Sequence, residues 1–254
     1  MSSLSWRKLA RRLLARYGYR ISYAPDGVGG NPFMDMSRLL GHAHPLILDV
    51  GANTGQSVER FRSTFPKAVI HSFEPSPSVF QTLTRNTAGL SNVHLWNCAL
   101  GASTTSLDLL ENSMSEWTSF LPPGGSAWGQ VVRKTVVPVR TLDDFCLEHS
   151  IERVDILKSD TQGYDMEVLK GARGMFARNA VVCIYCELIF SELYAGMPSF
   201  GDVCNFLDQS GFVLVSLYDI AYENGLAAWT DGLFVNRHHW AAHLEHEGAV
   251  AHRR

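Results

Sequence analysis

The sequence predicts an α/β fold with a doubly wound, mostly parallel sheet, and three observations lead to this class. Short apolar runs rich in β-branched residues alternate with stretches of helical periodicity, at the spacing expected of βαβ units. The first run, Leu46–Val50, ends in a glycine-rich turn, which is typical of the ligand-binding edge of such sheets. The chain has 254 residues, of which 46% are hydrophobic, so it can bury one core of this size.

Seven strands are expected, each short and apolar enough to be buried in a sheet. They lie at residues 46–50, 68–73, 93–97, 154–158, 180–187, 212–217 and 233–236. Residues 104–139 break the alternation with two β-like pieces around a segment rich in Trp, Gly and Pro. That segment predicts a β-rich insertion.

The helices between the strands are predicted from their capping residues. Asn53 or Thr54 can cap a helix that ends near residue 65, and Ser76 or Ser78 can open the next one. Further helices are expected after Thr141, through Leu169 and at Ser199–Gln209. Most consecutive strands are thereby joined by a helix, as a parallel sheet requires.

Charge and composition divide the chain into three parts. Residues 1–45 are read as an N-terminal basic amphipathic helix with a connector, residues 46–237 as the main domain, and residues 238–254 as a C-terminal tail. Residues 1–20 carry six basic side chains and no acid, although the net charge of the whole chain is −3. The body is therefore mildly acidic, which argues against nucleic acid as the main partner.

The N-terminal segment at residues 4–17 has apolar side chains at helical spacing with basic ones between them. Such a helix can contact anionic lipid at a membrane surface, or it can pack on the domain or on a twin subunit of a homodimer. No apolar run is long enough to span a bilayer, and neither a signal peptide nor a disulfide framework is indicated. We therefore expect a cytoplasmic protein, with peripheral contact at the inner membrane face under the first interpretation.

The glycine-rich turn after the first strand narrows the class of ligand. A P-loop requires a Lys followed by Ser or Thr, which Gln56 and Ser57 do not supply. A dinucleotide site prefers Gly-x-Gly-x-x-Gly, whereas Gly51 and Gly55 are separated by three residues. S-adenosylmethionine has no phosphates and suits this turn. Glu74, at the end of the second strand, can accept both hydroxyl hydrogens of its ribose.

Five ordered motifs make the chain resemble the FkbM-type S-adenosylmethionine-dependent methyltransferases over roughly Leu46–Asn236. They occupy residues 48–55, 73–75, 97–101, 137–144 and 157–172. The resemblance implies a Rossmann-like class I methyltransferase domain at 46–237 that methylates hydroxyl groups, with sugars of glycolipids, glycopeptides and polyketides among the acceptors. The cofactor residues it implies are Asp49, Gly51, Asn53, Gly55, Glu74, Pro75, Ser76, Cys98, Ala99 and Asp160. The last motif departs from its relatives, because Gln162 replaces a carboxylate and Asp165 shortens one.

Methylation of a hydroxyl requires a group that accepts its proton, and three carboxylates are candidates. Asp160 follows the fourth strand, Glu187 ends the fifth, and Asp231 precedes the last strand and enters from a loop or caps a turn. Any of them can instead make a structural hydrogen bond. Asp160 and Glu187 together suggest a Mg²⁺ site, which we do not favour because Gln162 is not an acid.

Aromatic residues indicate where an acceptor sugar could lie. Residues 116–130 form either a lid over the acceptor or a hydrophobic flap over the core, since flat aromatic faces pack on sugar rings. The candidates are Trp117, Trp128, Tyr164, Tyr194 and Trp229. The leading hypothesis is transfer to a sugar hydroxyl, as in glycolipid biosynthesis, with the acceptor a small-molecule or lipid-linked sugar. The alternatives are a polyketide or phenol hydroxyl, or a non-catalytic cofactor-binding module.

Two apparent metal motifs are discounted. Cys183 and Cys186 lie in one strand, where residues three apart point to opposite faces, so they form neither a zinc pair nor a redox pair. His239, His243 and His246 have helical spacing but no accompanying cysteine or carboxylate motif, and we read them as part of a solvated tail.

Overall fold

The computed structural model describes residues 27–242 and positions 13, 14 and 16. The strands are β1 (Leu46–Val50), β2 (Val69–Phe73), β3 (Val93–Trp96), β4 (Ala99–Leu100), β5 (Thr105–Asn112), β6 (Val131–Arg140), β7 (Val154–Ser159), β8 (Val181–Ile189), β9 (Phe212–Glu223) and β10 (Leu226–Asn236). The helices that follow are α1 (Pro32–Leu40), α2 (Gln56–Thr64), α3 (Pro77–Asn86), α4 (Leu142–Glu148), α5 (Asp165–Lys170), α6 (Arg173–Ala177) and α7 (Phe200–Gln209).

The main sheet has seven strands in the order β3-β2-β1-β7-β8-β10-β9. The first five are parallel, and β10 runs antiparallel to both of its neighbours. The strand order reverses between β1 and β7, and a crevice at the carboxyl ends of the strands is expected at such a switch point. The doubly wound, mostly parallel sheet predicted from the sequence is confirmed.

Two hydrophobic layers cover the faces of this sheet. One contains buried side chains of α1 and α2, such as Met36 and Phe61, and the other contains buried side chains of α4 to α7, such as Phe145 and Leu207. Strands buried on both faces read as continuous apolar runs, which explains why the sequence identified them. Their packing holds the carboxyl edge of the sheet, where the polar residues lie.

A second sheet confirms the predicted β-rich insertion. It has three strands in the order β4-β6-β5, with β6 parallel to β4 and antiparallel to β5. Between β5 and β6, a short 3-10 helix at Ser115–Trp117 begins a loop that returns over the crevice.

Three features differ from the sequence predictions. The last two strands are longer than expected, because they form a hairpin whose turn has Asn224 and Gly225 at positive φ (49° and 80°). Asp231 therefore lies inside β10 and not in a loop before it. Helix α1 lies within the segment read as a connector, capped by the Asn31 side chain. Helix α2 has Gly55 as its N-cap, and neither Asn53 nor Thr54 caps it.

The predicted N-terminal amphipathic helix at residues 4–17 lies outside the described residues except for positions 13, 14 and 16. Among the residues that are described, no helix is both long enough and apolar enough to cross a membrane.

Candidate active site

The turn after β1 is held close to the end of β7. Gly51 has a φ of +75°, and a Cβ at this position would lie 1.9 Å from the backbone oxygen of Asp160. The N–H groups of Gly51 and Ala52 both donate to the carbonyl of Phe73, at 3.1 and 3.0 Å. Only glycine fits here, because a side chain would collide with main chain that cannot move aside.

Glu74 lies at the carboxyl end of β2 and is almost fully buried, with 7% of its surface exposed. Its Oε2 accepts the backbone N–H of Asn53 at 3.0 Å, and its Oε1 accepts that of Ser76 at 2.8 Å. Burial raises the pKa of Glu74 to about 7, although these two hydrogen bonds oppose the rise. Each oxygen keeps a lone pair for another donor.

A row of polar side chains crosses four neighbouring strands on one face of the sheet. Ser72, Asp49, Lys158 and Tyr185 are successive register partners on β2, β1, β7 and β8. Asp49 is fully buried and accepts from Ser72 Oγ at 3.2 Å and from Ser57 Oγ at 2.6 Å. These bonds offset the cost of placing a charged group inside the sheet.

Lys158 connects this row to the turn and to Asp160. Its Nζ donates to the carbonyl of Gly51 at 2.9 Å and lies 3.3 Å from Asp49 Oδ1 and 3.8 Å from Asp160 Oδ2. Burial disfavours the charged form of Lys158, but the carboxylates of Asp49 and Asp160 outweigh it and raise its pKa. Lys158 is therefore a fixed cation at the centre of the site.

The three candidate carboxylates lie together, one step nearer the carboxyl edge than the polar row. Glu187 and Asp231 are register partners on β8 and β10, and Asp160 directly follows β7. Burial, and then the carboxylates of Asp160 and Asp165, raise the pKa of Glu187 well above its usual value. Burial also raises the pKa of Asp231, although Tyr185 Oη donates to its Oδ2 at 2.6 Å.

A cavity of about 310 Å³ connects these groups. Its lining includes seven of the residues singled out from the sequence: Gly51, Asn53, Glu74, Pro75, Ala99, Asp160 and Asp231. Glu187 does not line the cavity. It accepts a hydrogen bond from Gln162, and Gln162 does line the cavity. Phe33 and Arg60 complete the side formed by α1 and α2.

Four of the predicted cofactor residues do not line this cavity. Asp49 supports the wall from within the sheet, and Cys98 is packed in the core beside it. Gly55 begins α2 at a φ of +102°. Ser76 donates its N–H to Glu74 and its hydroxyl to Glu111 at 3.0 Å. Asp49 and Ser76 thus orient the turn and Glu74, and they face other protein groups.

The predicted aromatic residues fall into two sets. Trp117 stacks on Trp128 with ring centroids 6.2 Å apart, and it meets Trp229 edge-on at 5.9 Å. None of these three lines the cavity, although Glu116 and Thr118, on either side of Trp117, do; Trp128 remains 53% exposed. Tyr164 instead packs against Phe120 and approaches Gly101. Tyr194 is a buried residue that donates its hydroxyl to Gln162.

Lys158, Tyr185 and the bridging contacts of Gln162 were not identified from the sequence. One signal was present: Lys158 is a charged residue at the end of a run that is otherwise apolar apart from Asp155. A lysine inside a buried strand requires a charged partner, and Asp49 is the register partner of Lys158 on the neighbouring strand β1.

The residues considered for Mg²⁺ have a different partner here. Asp160 and Glu187 both accept from the Gln162 amide, at 2.9 and 3.2 Å. In the described part of the chain, no three or more His, Cys, Asp or Glu side chains are grouped so that they could hold a metal ion.

The two discounted motifs can now be placed. Cys183 and Cys186 are free thiols buried in the two different hydrophobic layers, which confirms that they point to opposite faces. His239 lies against the backbone oxygen of Asn179 at 2.8 Å, whereas His243 and His246 are outside the described residues.

Comparison with known proteins is consistent with this geometry. A family model described as the methyltransferase FkbM domain matches residues 49–214. The 2-O-methyltransferase NoeI of Sinorhizobium fredii (strain NBRC 101917 / NGR234) is 29% identical over 189 residues, covering 66% of this chain and 77% of its own length. The methyltransferase sdnD of Sordaria araneosa is 30% identical over 171 residues, covering 55% of this chain and 66% of its own length.

The fold also has a counterpart among solved structures. The fibrillarin pre-rRNA processing protein of Methanococcus jannaschii superposes with a TM-score of 0.50 at 13% identity, over 83% of this chain and 71% of that one. At this identity the likeness concerns the fold alone.

Proposed function

Because this chain belongs to the FkbM methyltransferase domain family, we propose that it transfers the methyl group of S-adenosylmethionine to a sugar hydroxyl. That the chain is an O-methyltransferase follows from the family and its named relatives. The acceptor and the roles of individual residues are the proposal. The observation that carries it is that one cavity is lined both by Glu74 and by the carboxylates Asp160 and Asp231.

The residues on the β1–β2 side of the cavity fit S-adenosylmethionine. Gly51 brings bare backbone to the cavity, because its Cβ would overlap the Asp160 carbonyl. Glu74 is buried, held at both oxygens, and still able to accept from the two ribose hydroxyls. Asn53, Pro75 and Ala99 line the same part. When bound, the cofactor supplies a methyl group already activated by its sulfonium.

The chain's own task is to hold the acceptor hydroxyl and to take its proton. Asp160 is the best placed base, because it lines the cavity, is partly exposed, and is held by Lys158 and Gln162. Lys158 is positioned to compensate negative charge near the acceptor oxygen. Asp231 and Tyr185 line the far wall and can orient the acceptor through further hydrogen bonds.

The aromatic cluster supports a sugar as the acceptor. Trp117, Trp128 and Trp229 pack together next to the cavity-lining residues Glu116 and Thr118, and flat apolar faces of this kind pack on sugar rings. The relative in Sinorhizobium fredii is described as a 2-O-methyltransferase, which favours a hydroxyl oxygen as acceptor atom. We extend the proposal to a lipid-linked sugar, taken from the inner membrane face by a cytoplasmic enzyme whose basic N-terminal segment contacts anionic lipid.

The test has two steps. Calorimetry with S-adenosylhomocysteine measures cofactor binding, and absence of binding to the wild-type chain would refute every methyltransferase interpretation. Transfer is then measured by mass spectrometry on a panel of methyl glycosides, with phenols and a polyketide alcohol as the comparison. Methylation of the phenols or the polyketide alone would replace the sugar with the alternative acceptor class. Binding without transfer to any of them would favour a non-catalytic module.

The biological acceptor can be sought directly. Comparison of glycolipids from cells with and without the gene should reveal one sugar-bearing species that lacks a methyl group in the deletion. An unchanged glycolipid profile would contradict the lipid-linked acceptor.

A further inference from the structure

The amide of Gln162 lies between the carboxylates of Asp160 and Glu187. Its Nε2 is 2.9 Å from Asp160 Oδ1 and 3.2 Å from Glu187 Oε2. An amide nitrogen carries two hydrogens, so it can donate one to each carboxylate. Gln162 itself lines the cavity.

The orientation of this amide is fixed from the opposite side. Tyr194 Oη donates to Gln162 Oε1 at 2.7 Å, and Tyr194 has only 1% of its surface exposed. A flipped amide would direct its oxygen at both carboxylates and its N–H groups at the hydroxyl that now donates to it. The Tyr194 ring also lies so close to Gly163 that a Cβ there would be 3.0 Å from it.

The backbone of Gln162 is constrained as well. Its φ is +54°, in the left-handed region, and its carbonyl accepts from Ser119 Oγ at 2.7 Å. A non-glycine residue keeps such a conformation only where its surroundings enforce it, and such residues cluster at functional sites.

We propose that Gln162 is the positioning residue of the acceptor site: locked by Tyr194, it holds Asp160 toward the cavity and prevents Asp160 and Glu187 from sharing a proton. This inference rests on the proposed function, since Asp160 is the base only if the chain methylates a hydroxyl. Tyr194, the residue that orients the amide, is part of the scaffold and does not line the cavity.

The physical reason is the behaviour of neighbouring carboxyl groups. Two carboxylates in contact titrate as a pair, and one of them keeps its proton to high pH. A donor placed between them gives each its own partner. The other charges that face the pair are Lys158, at 3.8 Å from Asp160, and the carboxylates of Asp165 and Asp231. Lys158 lies on the Asp160 side of the pair, whereas burial raises the pKa of Glu187.

The test is carboxyl carbon NMR on the full chain, labelled at the aspartate side chains and titrated without any acceptor. Gln162→Glu replaces the donor nitrogen with an oxygen of the same size and also adds a third carboxyl, so Tyr194→Phe, which adds no charge, must shift the midpoint as well. We expect Gln162→Glu to raise the lower apparent titration midpoint of the pair by about one pH unit. Tyr194→Phe removes only the hydroxyl that orients the amide, and should move the midpoint in the same direction by less. Gln209→Glu, the same change at the exposed end of α7, should leave it unchanged.

Calorimetry with S-adenosylhomocysteine on each variant separates the possible failures. Wild-type binding, with a Gln162→Glu midpoint within a few tenths of a pH unit of wild type, would overturn this inference and leave the proposed function standing. Absence of wild-type binding would overturn both. A midpoint shift in Gln162→Glu and Tyr194→Phe, with cofactor binding retained, supports the inference.

Discussion

Glu187 and Asp231 lie directly opposite each other on β8 and β10, with their side chains on the same face of the sheet. Like charges in this arrangement repel, and both groups are partly buried. Each has its own hydrogen-bond donor, Gln162 for Glu187 and Tyr185 for Asp231. Ionising both carboxyl groups at this edge of the sheet therefore costs free energy, and the pKa values of Glu187 and Asp231 are both raised.

The first prediction concerns stability against pH. The pKa of folded Glu187 is raised above the ordinary 4.5, so its favourable contribution is complete below about pH 4.5 and is lost as the pH rises through the folded value. Glu187→Gln should therefore gain free energy of unfolding relative to wild type between pH 5 and pH 8.5, as measured by urea denaturation. Glu152→Gln, at an exposed site, is the control. Parallel pH dependences of Glu187→Gln and wild type would contradict the prediction.

The second prediction concerns the cofactor. Glu74→Ala should weaken S-adenosylhomocysteine binding by about 1.5–3 kcal/mol, the scale of a hydrogen bond to a charged group. Calorimetry is the measurement, and Glu59→Ala on the exposed face of α2 should bind as wild type does. Because the pKa of Glu74 is about 7, wild-type affinity should also rise between pH 6 and pH 8 as the carboxylate forms. Affinity that is independent of pH would argue against a ribose contact by this residue.

The third prediction tests the close approach between the turn after β1 and the segment after β7. Gly51→Ala introduces a collision with the Asp160 carbonyl and places a side chain at a positive φ. Gly89 has a similar φ of +83° with no atom near its missing Cβ, so Gly89→Ala measures the backbone cost alone, about 1 kcal/mol. We expect Gly51→Ala to lose at least about 2 kcal/mol more in urea denaturation. Equal losses would mean that the contact is easily relaxed.

The fourth prediction concerns the acceptor. Trp117 is the centre of the aromatic cluster, since it contacts both Trp128 and Trp229. Trp117→Ala should raise the KM for a methyl glycoside about ten-fold, equivalent to about 1.4 kcal/mol, and leave S-adenosylhomocysteine affinity within two-fold of wild type. Trp240→Ala is the matched control. An unchanged KM would contradict a role in acceptor binding and would favour the alternative that this segment is a hydrophobic flap over the core.

The fifth prediction concerns the N-terminal segment. If residues 1–20 contact anionic lipid, the full chain should float with liposomes containing anionic lipid and detach as salt is raised, because surface charge interactions are screened. A chain lacking residues 1–20 should remain unbound. Equal partitioning of the two chains would remove the membrane contact, and a change in mass by light scattering would then indicate a dimer contact instead.

Much of the fold could be predicted because β1, β2 and β7 are buried on both faces and appear as short apolar runs. The start of α7 was equally clear, since Ser199 caps it with a capping box completed by Asp202. Each of these signals is local, so one stretch of sequence contains it in full.

Two elements have local signals in the sequence that the residues around them mask. Asn224 and Gly225 form the two-residue turn that favours a tight hairpin, but register shifts between β9 and β10 interrupt the alternation of their side chains. Asn31 and Pro32 make an ordinary helix start, with Gly41 closing α1 in the left-handed conformation. In a segment rich in Gly, Pro and Asn, the same residues are equally typical of a loop.

The site residues at the strand ends could be predicted from the sequence, but the contacts between residues of different strands could not. Gly51 and Glu74 could be assigned because strand ends of a parallel sheet meet at one edge. The partnership of Asp49 with Lys158, more than a hundred positions later in the chain, depends on the register between β1 and β7. Register is set by the packing of whole strands, and no local pattern specifies it.

The placement of Cys183 and Cys186 makes the two thiols built-in reporters of unfolding. Each is shielded by a different helical layer, and burial raises the pKa of Cys183 to about 12, so neither is available as a thiolate in the folded chain. A thiol reagent reaches Cys183 only when α1 and α2 separate from the sheet, and Cys186 only when the opposite layer does. The order in which the two become labelled therefore distinguishes which side of the domain opens first.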